Sequence, residues 1–178
     1  IVSDDQRPDS IAVLGNRVVR TPNLDALAAC GSVFTRAICA NPICTPSRGE
    51  ILTGCNGFNN GVLDFGGRFR EGLTPIAETL RSSGYRTTYV GKWHNVGRPS
   101  QHGYQESRGL FTSGGNKFWK PHADAHGRDV TGYRGWIFQS DAGELYPEHG
   151  VGLTPNISER FADAAIETVS LRSDSPFF

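Results

Sequence analysis

The 178 residues contain no methionine, carry no net charge, and include no long apolar run. Each absence excludes something. With 18 basic and 18 acidic residues there is neither a basic excess to hold nucleic acid nor an acidic tail. No apolar run approaches the roughly 20 residues of a membrane-spanning helix, and the chain does not open on a signal peptide. Cysteine is scarce: Cys30, Cys39, Cys44 and Cys55, with no C-x-x-C and no histidine at finger spacing, so structural zinc is not expected. A chain of this size does not need disulfides, which leaves the redox compartment open. There is no internal repeat and no low-complexity segment. The opening "IVSDDQRPD" and the closing "SPFF" each read as an interrupted strand, and with no methionine present the expectation is a portion of a longer protein.

What is present suits a globular chain: 37% hydrophobic, 20% charged, and long enough for one sizeable core. Its 22 glycines gather between 54 and 152, which predicts a loop-rich middle. Helices start repeatedly on Thr-Pro. "TPNLDALAACG" (21–31) offers Thr21 as N-cap, Pro22 as first helical residue and Gly31 as stop, with Leu24, Leu27 and Ala28 on one face. "TPIAETLRSSG" (74–84) repeats the plan from Thr74, with Ile76, Ala77 and Leu80 inward. "TPSRGEILTG" (45–54) is a shorter version with Ile51 and Leu52 inward. A longer helix is expected within 154–171, starting near Ser158, with Phe161, Ala165, Thr168 and Val169 on its buried side. Strands are expected as the tail at Ile1 and Val2, at 32–38, at 85–91, at 136–139, and starting at 176–178. Residues 95–153 show little periodicity and read as long loops or an insertion. Strands alternating with helices predict an α/β sheet with helices on its faces.

In open α/β sheets, ligands sit beyond the carboxyl ends of strands, and polar clusters fall there. Asp4 and Asp5 follow the first strand candidate. Two adjacent carboxylates favour a shared hard cation, Ca²⁺ or Mg²⁺, although most acidic pairs are solvated turns. Lys92 and His94, in "GKWH", fall on one side if the strand at 85–91 continues, with Trp93 packing the other way. Lysine can hold an anionic oxygen, and histidine can move a proton near neutral pH; the bland reading is a basic loop pair. Cys44 stands where a loop enters a helix N-terminus, a place suited to an anion or an activated group. A lone cysteine is more often a small buried side chain. Arg48 could fork onto a charged oxygen or lie on the helix surface. Carboxylates, cysteine, arginine, lysine and histidine together describe an anion-transfer site with a metal. They do not separate phosphate from sulfate.

Residues 44–54, "CTPSRGEILTG", resemble the type I sulfatase signature C-x-P-S-R-x-x-x-L-T-G. "SDDQRPD" (3–9) is similar to that family's metal-binding opening, 21–44 to its usual approach to the signature, and "GYRTTYVGKWH" (84–94) to its second signature. The resemblance implies an alkaline-phosphatase-like fold: a mixed, mostly parallel sheet with helices on both faces, incomplete at both ends. It makes residues 1–178 the N-terminal portion of a sulfatase catalytic domain, with a variable region at about 95–153. It implies hydrolysis of sulfate esters, with a sulfated carbohydrate or small alcohol as substrate. A phosphonate or phosphate ester hydrolase of the same superfamily, or a non-catalytic member, are the alternatives. A maturing enzyme would oxidise Cys44 to formylglycine, whose hydrated gem-diol attacks sulfur in line and later expels sulfate. Asp4, Asp5 and the modified Cys44 would carry Ca²⁺, or Mg²⁺ in its place, with further ligands beyond residue 178. Arg48 would hold the formylglycine, Lys92 a sulfate oxygen, and His94 a gem-diol proton. Lys117, Lys120, His122 and His126 could line the substrate pocket or form a surface loop. Neither nucleic acid nor a transmembrane segment is implied. A periplasmic, secreted or lysosomal setting is suggested by the family alone.

Overall fold

A computed structural model describes residues 1–119, 127 and 132–178. They form two units, Ile1–Cys39 and Ala40–Phe178.

The first unit is organised by local hydrogen bonds. Two 3₁₀ turns, Pro8–Ser10 and Ala12–Leu14, precede helix α1, Pro22–Cys30. Thr21 is the N-cap residue and Gly31 ends the helix, as the sequence predicts. The Thr21 hydroxyl does not cap the helix amides, however. It accepts from the Ala12 amide at 2.8 Å and donates to Asp25 Oδ1 at 2.9 Å, and that same oxygen accepts from the Val13 amide at 3.0 Å. The helix start is thereby tied to the preceding turn. The strands expected at Ile1 and Val2 and at 32–38 do not form. A strand exists through its ladder partners, and among the described residues neither segment has one.

The second unit runs helix α2 (Cys44–Thr53), α3 (Gly57–Asn60), α4 (Ile76–Ser82), strand β1 (Thr88–Lys92), β2 (Glu106–Ser113), β3 (Trp136–Gln139) and helix α5 (Ile157–Ser170). The sheet order is β1-β2-β3, with β1 parallel to β2 and β2 antiparallel to β3. Residues 176–178 lie parallel along the other edge of β1. The Arg86 amide donates to Pro176 O at 2.8 Å, Phe178 N to Arg86 O at 2.8 Å, and Thr88 N to Phe178 O at 2.9 Å. Adjacent residues of β2 serve opposite faces, as the pleat requires. Leu110 packs with Leu52 of α2, Ala77 of α4, Trp93 and Tyr104. Phe111 meets Phe161 of α5 at 6.0 Å, and Phe161 also meets Phe138 of β3 at 5.5 Å. The fold is therefore a mixed α/β sheet flanked by helices on both faces, consistent with the fold class expected from sequence.

Several local expectations need correction. The segment 95–153 contains β2, which reads poorly in sequence because Ser107 and Gly109 break its pattern. Strand β1 ends one residue later than expected, at Lys92, because the ladder shifts register around Gly91, whose φ is +101°. Such a bulge re-aims the residues beyond it. Helix α4 starts after Pro75, whose ψ of 152° is extended, so Pro75 and not Thr74 is the N-cap. Cys44 is the first helical residue of α2 behind Ile43, not part of the preceding loop. Ile51, Ile76 and Val169 are exposed, whereas their neighbours Leu52, Ala77 and Thr168 are buried. Leu52, Ala77 and Thr168 are buried as expected; one residue is about 100° of helix, so each buried stripe is narrower than expected and leaves out the adjacent position. Gly103 closes the approach to β2: at φ +95° its position would set a Cβ 2.2 Å from the Glu78 amide nitrogen, so the loop lies directly on the start of α4.

Candidate active site

The start of α2 and the end of β1 are joined by side chains. Thr45 is 1% exposed, and its hydroxyl donates to the His94 carbonyl at 2.6 Å. Arg48 Nη1 donates to the Lys92 carbonyl at 3.0 Å and approaches the Tyr89 hydroxyl at 3.4 Å. The Tyr89 hydroxyl donates to that same carbonyl at 2.5 Å. Within α2, Pro46 in the first turn needs no amide partner, and Gly49 leaves room for Val62, whose Cβ would lie 3.2 Å from a Cβ at that position.

These bonds bring Cys44 and Lys92 together: Lys92 Nζ donates to Cys44 Sγ at 3.2 Å. Lys92 is 8% exposed. Its ammonium also donates to the Tyr133 hydroxyl, lies 4.5 Å from the centre of the Tyr133 ring, and 5.8 Å from that of Trp136. The His94 ring is set between Phe65, at 5.3 Å, and Trp136, at 4.7 Å and perpendicular. Lys92 and His94 thus converge on one aromatic ring. Trp93 turns the other way into the core, its indole N–H donating to Gly97 O at 3.0 Å. That is the alternation read from "GKWH". Below, Tyr104 stacks edge-on against Tyr89, and burial pushes its phenol well above the ordinary range, which keeps it neutral. A cation held against aromatic faces in a partly dry site attracts an anion more strongly than one in water.

Asp4 and Asp5 belong to the first unit, at a bend where Asp5 adopts φ 55°. They present only oxygen donors, which suits a hard cation, but Ca²⁺ takes about six to eight such ligands. Among the described residues no group of three or more His, Cys, Asp or Glu side chains could hold a metal ion. Lys117 is exposed, with its ammonium 4.9 Å from the Phe118 ring centre. Lys120, His122 and His126 lie outside the described residues. Sequence reasoning missed Tyr133 and the part Trp136 and Tyr89 play around Lys92. The signal for the first two was "GYRGW" (132–136), two aromatics among glycines.

The sulfatase family model matches residues 1–178. N-acetylgalactosamine-6-sulfatase of Rattus norvegicus is 28% identical over 196 residues, covering 100% of this chain and 37% of its own length. Steryl-sulfatase of Rattus norvegicus is 39% identical over 105 residues, covering 53% of this chain and 18% of its own length. The solved structure of BT4656 in complex with its substrate D-glucosamine-2-N,6-O-disulfate covers 98% of this chain and 31% of its own, at a TM-score of 0.71 and 24% identity, a likeness of fold. The chain spans 37% of the length of the first of these relatives and less of the others.

Proposed function

Because the chain belongs to the sulfatase family, we propose that it supplies the nucleophile and its charged surroundings for hydrolysis of a sulfate ester. The observation that carries this reading is the Lys92 ammonium 3.2 Å from Cys44 Sγ, where the start of α2 meets the end of β1. Sulfatases typically use Ca²⁺ and a formylglycine made from the signature cysteine, so we take residue 44 as the precursor and a sulfatase-maturing enzyme as a partner. Once oxidised and hydrated, residue 44 supplies a gem-diol, a nucleophile for sulfur with an internal route for releasing sulfate. Asp4 and Asp5 are the candidates to supply carboxylate oxygens to the cation, and other residues would complete its shell.

The remaining roles belong to the chain's own side chains. Lys92 binds a sulfate oxygen, with its charge fixed by the aromatic walls described above. Arg48 neutralises negative charge near residue 44, its guanidinium already oriented by the Lys92 carbonyl. His94 holds or moves a proton at residue 44, its ring set by Phe65 and Trp136. The names of the relatives cover an amino-sugar sulfate and a steryl sulfate, so the substrate is read as a sulfated carbohydrate or small alcohol. Lys117, Lys120, His122 and His126 remain candidates for contacts to its non-reacting part.

The test compares the whole protein, matured at residue 44, on an aryl sulfate and an aryl phosphonate ester. Turnover of the sulfate that vanishes in Cys44→Ala supports the reading. Faster turnover of the phosphonate, or a Cys44→Ala variant as active as its parent, refutes it.

A further inference from the structure

Lys92 is held on a further side by a residue outside both signature stretches. The Lys92 ammonium donates to the Tyr133 hydroxyl and lies 4.5 Å from the centre of its ring. Tyr133 makes these contacts from a costly backbone: its φ is 57°, in the left-handed region that bulky side chains avoid. The turn is closed by the Trp136 amide, which donates to the Tyr133 carbonyl at 3.0 Å, and by Gly135 at φ +72°. The two rings then meet edge to face at 5.1 Å, so the turn presents Tyr133 and Trp136 together. Strain of this kind persists where the surroundings over-determine it, and here they direct a phenol onto the charged end of Lys92, beside Cys44.

From this geometry we propose that Tyr133 is a positioning residue for Lys92 in the sulfate-ester reaction, an inference that rests on the function proposed above. A lysine stem has four flexible carbons, and its ammonium can point many ways. The phenol oxygen accepts one N–H bond and the ring face attracts the charge, so the ammonium is held beside residue 44. A ring that only filled space would serve equally well as phenylalanine. The hydroxyl is what separates positioning from packing.

The experiment uses the whole protein with Tyr133→Phe, Lys92→Ala and the double variant. Tyr133→Phe is expected to lower kcat/KM about tenfold in the parent and by less than about twofold in the Lys92→Ala background, because its effect passes through Lys92. An equal loss in both backgrounds, or a single variant within about twofold of the parent, overturns the proposal. A second readout needs no activity: acetic anhydride labelling of each lysine, followed by mass spectrometry. Lys92 is expected to label about fivefold faster in Tyr133→Phe while the other lysines keep their rates. An unchanged Lys92 rate, or faster labelling of every lysine through general loosening, overturns it. A parent protein that hydrolyses no sulfate ester refutes the proposed function instead, and the labelling result still decides the positioning.

Discussion

Thr45→Val breaks the join between α2 and β1 at one bond. The Thr45 hydroxyl donates to the His94 carbonyl at 2.6 Å from a side chain that is 1% exposed. Valine matches threonine in shape, so no cavity opens and the change is one lost donor. A typical hydrogen bond contributes about 1 kcal/mol net, and stranding a buried acceptor costs about 1–3 kcal/mol. The expected loss is therefore about 2 kcal/mol, close to a 30-fold fall in the folding constant. Position 45 is the unfixed x of C-x-P-S-R, so the maturation signal stays intact. The assay is urea unfolding of the whole protein followed by tryptophan fluorescence, since Trp93 is buried one residue from the broken bond. Thr45→Ser is the control: it keeps the bond and removes a methyl group, at about 1 kcal/mol. A valine variant within about 0.5 kcal/mol of the parent, or a serine variant less stable than the valine, would refute the reasoning.

Gly103→Ala should cost about 2–4 kcal/mol, because φ is +95° and the new Cβ would fall 2.2 Å from the Glu78 amide nitrogen; the same unfolding assay reads it. Tyr104 sets an alkaline limit. Burial raises its folded pKa above the ordinary value near 10, so the unfolded chain loses that proton first. Its contribution is intact below about pH 10 and falls as pH rises further, by up to about 1.4 kcal/mol per unit; Tyr104→Phe should remove that part of the slope. Chelation of the whole protein should reduce sulfate-ester turnover to below about a tenth, with recovery on adding Ca²⁺. Full turnover after exhaustive chelation would contradict the role given to Asp4 and Asp5.

Local chemistry made part of this architecture legible. Thr-Pro pairs marked three helix starts to within two residues, and "WIFQ" is β3 itself, because capping and short apolar runs act over a few residues. The alternation Lys92, Trp93, His94 correctly sent the indole into the core and the two basic side chains toward Trp136. Strand β2 was not legible. It lies between β1 and β3, and its burial is set by those partners and by α5, not by its own pattern. Tyr133 escaped for a related reason: its contact with Lys92 spans 41 residues and depends on a left-handed turn. Cys44, Arg48, Lys92 and His94 were legible as candidates. That the start of α2 is fastened to Lys92 at the end of β1 and to His94 just beyond it required the structure.

The state of residue 44 tests the central claim most directly. The measurement is mass spectrometry of the peptide containing it, from whole protein of a native source, on the same preparation assayed for sulfate-ester turnover. The account predicts the lower mass of a side chain converted from CH₂SH to CHO. An unshifted thiol peptide in a preparation that turns over sulfate ester would contradict it.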